Sequence, residues 1–98
     1  MDVAFAARRL ADASLNISEA ARLFGVLTGR KYIQRIAVLR AVASFAHLYG
    51  HQALRLHALK GDREGQYALT LTANYRLIIE KLSEDEVRVL GVEDYHGD

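Results

Sequence analysis

Along the last third of the chain, hydrophobic and polar positions change places at every second residue. From Gln66 to Thr72 the large apolar side chains Tyr67, Leu69 and Leu71 alternate with small or polar neighbours, which predicts a strand with one buried face. Ala73-Asn74 predicts a turn, and Tyr75 to Glu80, rich in aromatic and β-branched residues, predicts a second strand. Ser83-Glu84-Asp85 predicts another turn, and Glu86 to Glu93 a third strand running directly into Asp94-Tyr95-His96. Upstream the period lengthens. Ala7 to Ala13 has the Ala, Leu and Arg content of a short helix. Asn16-Ile17-Ser18-Glu19 reads as a helix start: Asn16 or Ser18 accepts a first-turn N–H, and Glu19 stands at capping-box distance from Asn16. A second helix is expected from there to about Ala46, bent or locally broken at Gly25 and Gly29.

Between Arg30 and Ala46 the apolar residues Ile33, Ile36, Ala37, Val38, Leu39, Val42 and Phe45 cover more than half of a helix circumference. Such a helix is expected to be mostly buried, against a sheet on one side and the first helix on the other. Asp2 to Ala6 and Leu54 to His57 read as short strands, and Lys60 to Gly65 as a loop whose two glycines permit positive φ. The expected fold class is α+β: a small antiparallel sheet with two N-terminal helices packed on one face.

Composition narrows the function classes. At 98 residues the chain is expected to form one domain, 1–98, around one modest core. Its 51% hydrophobic and 26% charged residues argue against disorder. The absence of cysteine excludes disulfides, a thiolate nucleophile and sulfur-ligated metal. No run of about 18 apolar residues and no basic-then-apolar leader is present, so no membrane partner and a cytoplasmic setting are expected. Net charge is +1 but unevenly spread: residues 1–60 hold nine Lys/Arg and three Asp/Glu, residues 61–98 four and nine. The basic part suits a polyanionic partner, and solvated helix faces account for it equally well.

Four histidines are the first candidates for chemistry. His47 and His51 lie four apart and would share a face if a helix continued through Gly50; with no Glu in the intervening turn they read as a surface pair, and no metal site is assigned. His57 and His96 keep more polar company. His57 precedes Lys60 at the edge of the Gly-flanked loop, and His96 follows Asp94 and Tyr95. In an extended segment Asp94 and His96 point to the same side, where a carboxylate orients an imidazole and raises its pKa. Arg76 projects from its strand on the face opposite Tyr75, Leu77 and Ile79, so neighbouring strands would bring a cation close to this pair. Lys, Arg, His, Asp and Tyr, without a metal or a Ser/Cys nucleophile, suit attack by an RNA 2′-hydroxyl. That nucleophile is internal to the substrate, and the protein need only move protons and hold charge on phosphorus. A terminal Tyr-His pair on a sheet edge also occurs as plain packing.

The segments Leu56-His57-Ala58-Leu59-Lys60-Gly61-Asp62, Leu71-Thr72-Ala73-Asn74-Tyr75-Arg76-Leu77 and Val92-Glu93-Asp94-Tyr95-His96, in this order and spacing, resemble the RelE/HigB-type toxins of bacterial toxin-antitoxin modules, within the RelE/ParE superfamily. Val3-Ala4-Phe5-Ala6 and Phe24-Gly25 extend the likeness to most of the chain. The resemblance implies a compact sheet carrying two helices, and ribosome-dependent, metal-independent cleavage of messenger RNA with no cofactor. It implies that His57, Asp94, Tyr95 and His96 form the acid/base group, and that Lys60 and Arg76 contact phosphate. The implied partners are messenger RNA, the ribosome with its ribosomal RNA, and a cognate helix-turn-helix antitoxin. Two other readings stay open: a non-nuclease toxin on the same fold, like the gyrase inhibitors, and a non-toxic regulatory domain.

Overall fold

A computed structural model describes residues 1–94. The chain begins with strand β1 (Asp2–Phe5), continues through helices α1 (Arg8–Leu15), α2 (Ile17–Phe24) and α3 (Val26–Ala41), and ends in strands β2 (His57–Ala58), β3 (Gln66–Thr70), β4 (Tyr75–Ser83) and β5 (Glu86–Asp94). The strands form one sheet in the order β1-β5-β4-β3-β2. The expected α+β layering is present, with the helices on one face.

The sheet is mixed. β2 to β5 pair antiparallel in succession, whereas β1 lies parallel to β5, Val3 opposite Val87. The helical crossover accounts for this: the chain leaves β1, crosses the sheet through the helical layer to the far edge at β2, and meanders back until β5 slots beside β1.

The helical layer has three segments rather than two. Asn16 both closes α1 and caps α2, its side-chain oxygen accepting from the backbone N–H groups of Ser18 (2.9 Å) and Glu19 (3.2 Å). Gly25 then separates α2 from α3 with φ of 85°, a conformation that disfavours any residue bearing a Cβ. Gly29 lies inside α3, which runs through it unbroken. A Cβ there would stand 2.8 Å from the carbonyl carbon of Ala20, so glycine at this position lets α3 lie directly on the backbone of α2.

Helix α3 buries Thr28, Gly29, Tyr32, Ile36 and Leu39, one stripe at helical spacing, and stops at Ala41 instead of Ala46. Ala37 is exposed, so the helix is covered on one side only. Its end has a tertiary cause. Beyond Val42 the backbone amides of Phe45 and Ala46 bond to the carbonyl (2.6 Å) and carboxylate (2.8 Å) of Glu84 in the β4–β5 turn, and a 3-10 segment, Phe45–Gly50, follows. The core between the layers joins Leu10, Tyr32, Ile36 and Leu39 of the helices to Leu69, Leu77, Ile79, Val87 and Val89 of the sheet. Full burial of such side chains stabilises the fold by about 1.5–3 kcal/mol each. Among the described residues, no helix is long and apolar enough to cross a membrane.

Candidate active site

The other face of the sheet is not covered by helices, and its alternating residues build a hollow. In β4, Leu77 and Ile79 point into the core; Arg76, Ile78 and Glu80 therefore point away from it. A hollow of about 400 Å³ opens on that side, within the size range of small-ligand sites. It is lined by His57, Ala58, Leu59, Lys60, Arg63, Ala68, Arg76, Ile78, Glu93 and Asp94.

Strand register explains the shape. His57 lies opposite Ala68, Ala68 opposite Ile78, and Ile78 opposite Gly91, a row crossing four strands. Ala68 and Gly91 have little or no side chain, so the floor dips on either side of Ile78. The next row on the same face runs Thr70, Arg76, Glu93. His57 thus sits two strands from the Arg76 strand, about 10 Å away across the sheet.

Of the residues singled out from the sequence, His57, Lys60, Arg76 and Asp94 all line this hollow. Tyr95 and His96 lie outside the described residues. His47 and His51 do not share an α-helical face, because the 3-10 segment ends at Gly50 and its three-residue turn sets residues four apart about 120° out of line. Among the described residues, no three His, Cys, Asp or Glu side chains gather as a metal-binding group.

Local structure prepares His57 for a proton. Its Nδ1 stands 3.1 Å from the carbonyl oxygen of Arg55. A carbonyl only accepts, so the neutral ring carries its proton on Nδ1 and leaves the Nε2 lone pair available as a base. Arg55 holds that carbonyl from a left-handed conformation, φ 50° and ψ 46°. Arg76 donates from Nη1 to the carbonyls of Thr72 (3.2 Å) and Tyr75 (3.3 Å), which draws its guanidinium over the β3–β4 turn. Arg35 of α3 donates to the carbonyl of Thr70 at 2.9 Å and ties that same turn to the helical layer.

Two lining residues, Arg63 and Glu93, were not singled out by the sequence. They form a two-bond ion pair, Nη1 to Oε1 at 3.0 Å and Nη2 to Oε2 at 2.7 Å. Hydrogen bonding to the Glu93 carboxylate raises the Arg63 pKa above its ordinary value. The signal for Glu93 was Gly91. A register shift between Ile78 and Ile79 leaves Leu90 as an extra residue in β5, so the strand changes phase there and Glu93 comes opposite Arg76 while Asp94 comes opposite Tyr75.

A second hollow of about 570 Å³ lies at the α1–α2 junction, lined by Asp12, Leu15, Asn16, Glu19 and Arg22. Its Glu19 and Arg22 pair with each other and its Asn16 caps α2. These groups serve the helices, whereas the sheet hollow combines a base with three cations.

Comparison with known proteins gives a partial sequence match and a whole-chain fold match. A stretch of 45 residues is 44% identical to Endoribonuclease HigB of Proteus vulgaris. It covers 46% of this chain and 48% of that protein, so the match spans about half the length of this curated relative. No family model matches the chain. Among solved structures, the YoeB/ParE toxin from Agrobacterium tumefaciens superposes with a TM-score of 0.61 at 16% identity, covering 98% of this chain and 100% of that one. The YoeB-YefM complex from Staphylococcus aureus gives 0.61 at 14% identity, covering 99% and 98%. The chain has the fold of these proteins.

Proposed function

We propose that this chain is a HigB-like toxin of the RelE/ParE superfamily that cleaves messenger RNA on the ribosome without a metal ion, the reading favoured by both the HigB-like stretch and the YoeB/ParE fold. The observation that carries it is the gathering of His57, Lys60, Arg76 and Asp94 around one hollow on the uncovered sheet face. These residues come from a strand edge, a loop, a central strand and a strand end, and no feature of the core requires them together.

The reaction is attack of the RNA 2′-oxygen on its neighbouring phosphorus, with breakage of the bond to the 5′-oxygen and release of a 2′,3′-cyclic phosphate and a 5′-hydroxyl. His57, through Nε2, takes the 2′-hydroxyl proton. Lys60 and Arg76 hold the negative charge that grows on the phosphoryl oxygens, the contribution that is usually largest in such sites. Asp94, Tyr95 and His96 complete the acid/base group, with the imidazole of His96 returning a proton to the leaving 5′-oxygen. Each positioned proton transfer typically contributes about 10²- to 10⁴-fold. The protein acts in the cytoplasm, where its message is being translated, as one toxin domain, and a helix-turn-helix antitoxin masks it; the YoeB-YefM structure shows one protein of this fold in a complex.

Expression of the chain is expected to arrest growth, and purified protein added to a translating extract to cut ribosome-bound message. Lys60→Ala and His96→Gln are each expected to lower cleavage by at least about 10²-fold while the protein stays folded by circular dichroism. Undiminished growth arrest in both variants would reject the proposal, and DNA damage without loss of protein synthesis would point to the non-nuclease toxin instead.

A further inference from the structure

We infer that the Arg63–Glu93 pair is a positioning latch, which fixes the loop bearing Lys60 against the end of β5 and thereby governs the rate of RNA cleavage rather than the affinity for RNA. The inference rests on the nuclease reading and adds to it two residues that reading does not use.

The guanidinium of Arg63 joins three segments. It makes both bonds to Glu93 near the end of β5, while its Nε donates to Oε1 of Gln66, the first residue of β3, at 3.0 Å. Its own backbone N–H donates to the carbonyl of Lys60 at 3.4 Å within the short 3-10 turn Gly61–Arg63. A continuous path therefore runs from Glu93 through Arg63 to the backbone of Lys60. Glu93 lies opposite Arg76 in the sheet and directly precedes Asp94 in the chain, so one ion pair relates both cationic residues to the strand end.

Backbone bonds fix the two ends of the loop, Leu59 N–H to the Gln66 carbonyl at 2.9 Å and Lys81 N–H to the Gly65 carbonyl at 3.0 Å, and between those ends the Arg63 side chain makes the long-range contact. Lys60, Gly61, Asp62, Glu64 and Gly65 are all exposed, and none adds an apolar side chain to the core. The pair itself is 38% and 49% exposed on its two side chains, a setting in which ion pairs add little to global stability. Two parallel N–H···O bonds nevertheless fix direction as well as distance. Their contribution is to geometry: the Lys60 ammonium is kept in register with the phosphate that Arg76 also reaches. Displacement of such a group by about 1 Å is enough to cost about 10²-fold in rate.

The test compares single-turnover cleavage of ribosome-bound message by wild type, Arg63→Ala, Glu93→Ala and the double variant, beside binding of a 2′-O-methyl RNA oligonucleotide that cannot be cut. Each single variant is expected to cleave about 10- to 100-fold more slowly, with binding changed less than about threefold. The double variant is expected to be no slower than the worse single, because the two residues act as one unit. Arg63→Lys, which keeps the charge but not the fork, is expected to fall between wild type and Arg63→Ala. Cleavage by Glu93→Ala at or above the wild-type rate overturns the latch and makes Glu93 a mask on Arg63. Weakened binding at an unchanged rate in Arg63→Ala overturns it in favour of a direct phosphate ligand. Amide hydrogen exchange of residues 60–65 separates this inference from the nuclease reading: it is expected to speed up in both single variants whether or not the wild type cleaves RNA. Unchanged exchange there sinks the latch, while an inactive wild type with accelerated exchange in the variants sinks the nuclease reading alone.

Discussion

Strand β4 belongs to two different environments at once. Leu77 and Ile79 are fully buried against the helices, while Arg76 and Glu80, their immediate neighbours, turn to the uncovered side. On the covered face the requirement is volume, and the side chains are Leu, Ile, Val, Tyr and Phe filling one core. On the uncovered face the floor is kept low by Ala68 and Gly91, and the walls are polar. The first face is closed by packing throughout; the second is packed only at its floor, where Ala68 and Ile78 are each 2% exposed, and its polar rim around Lys60 and Glu93 is exposed. A change on the covered face should therefore cost stability, and a change at the polar rim of the other should cost function with the fold intact.

The covered side breaks most severely at Gly29. A methyl group there meets the carbonyl carbon and oxygen of Ala20 at 2.8 and 2.9 Å, both of them backbone atoms that cannot rotate away. Gly29→Ala is expected to destabilise by about 3 kcal/mol, the upper range of overpacking. For a domain of this size that lowers the thermal midpoint by about 12–24 °C, readable by circular dichroism. Gly25→Ala makes the control. Its Cβ has nothing within 4 Å, so any cost comes from the backbone alone: φ 85° with ψ 164° is a conformation almost confined to glycine, worth about 1–3 kcal/mol.

Tyr32 is a polar group on the covered side and a gentler way to disturb it. Its hydroxyl donates to the carbonyl of Leu10 at 2.7 Å in the core, and its ring packs on Phe24 with centroids 4.9 Å apart. Tyr32→Phe removes that bond while the Leu10 carbonyl, inside α1, keeps its place in the helical ladder, for an expected loss of about 1 kcal/mol. Burial pushes the phenol pKa well above its ordinary value near 10. The neutral phenol is therefore worth most below pH 10, and its contribution disappears as pH rises beyond that. Alkaline unfolding of Tyr32→Phe should consequently be flatter above pH 10 than that of the wild type.

The same contrast decides what the sequence disclosed. Strands β3, β4 and β5 were legible because one face of each is buried, and alternation reports burial directly. The start of α2 was legible because Asn16 acts locally. The end of α3 was not, since Glu84, nearly forty residues downstream, takes up the amides of Phe45 and Ala46. Gly25 and Gly29 looked alike as helix breakers; one supplies a backbone conformation and the other a close approach to Ala20, and only coordinates separate those roles. Residue type pointed to His57, Lys60 and Arg76 on the uncovered face and to Asp94, which lines the same hollow from the strand end opposite Tyr75, but their meeting depends on strand order. Glu93 went unnoticed because the extra residue at Leu90 changes which side chains of β5 share a face with Arg76, a shift that strict alternation does not register. Arg63 went unnoticed because its partner lies thirty residues away.

Glu84 extends the comparison to the far turn of the sheet with a smaller effect. Its carboxylate accepts from the Ala46 N–H and the Lys81 ammonium, and these two bonds hold its pKa below the usual value of 4.5. A depressed acid stabilises the fold above that value and ceases to do so as pH falls through its folded pKa. Acidification below pH 4.5 should therefore cost the wild type more than Glu84→Gln, whose amide oxygen still accepts from Ala46. The difference should be smaller than the loss in Tyr32→Phe, because the group is solvated. Thermal midpoints at pH 6 and pH 3 measure it, and equal acid losses in the two proteins would remove Glu84 from the account.

The smallest stability change is expected on the uncovered face, at Lys60. Its side chain is exposed and contributes nothing to the core, so Lys60→Ala should stay within about 0.5 kcal/mol of wild type. By the proposed mechanism the same substitution abolishes most cleavage, because the ammonium is placed for the additional negative charge that develops on the phosphoryl oxygens in the transition state. The two measurements together place Lys60 on one side of the comparison. A midpoint lowered by ten degrees would mean that the loop is part of the scaffold, and the division of the sheet into a packed face and a reactive one would then fail at its most exposed residue.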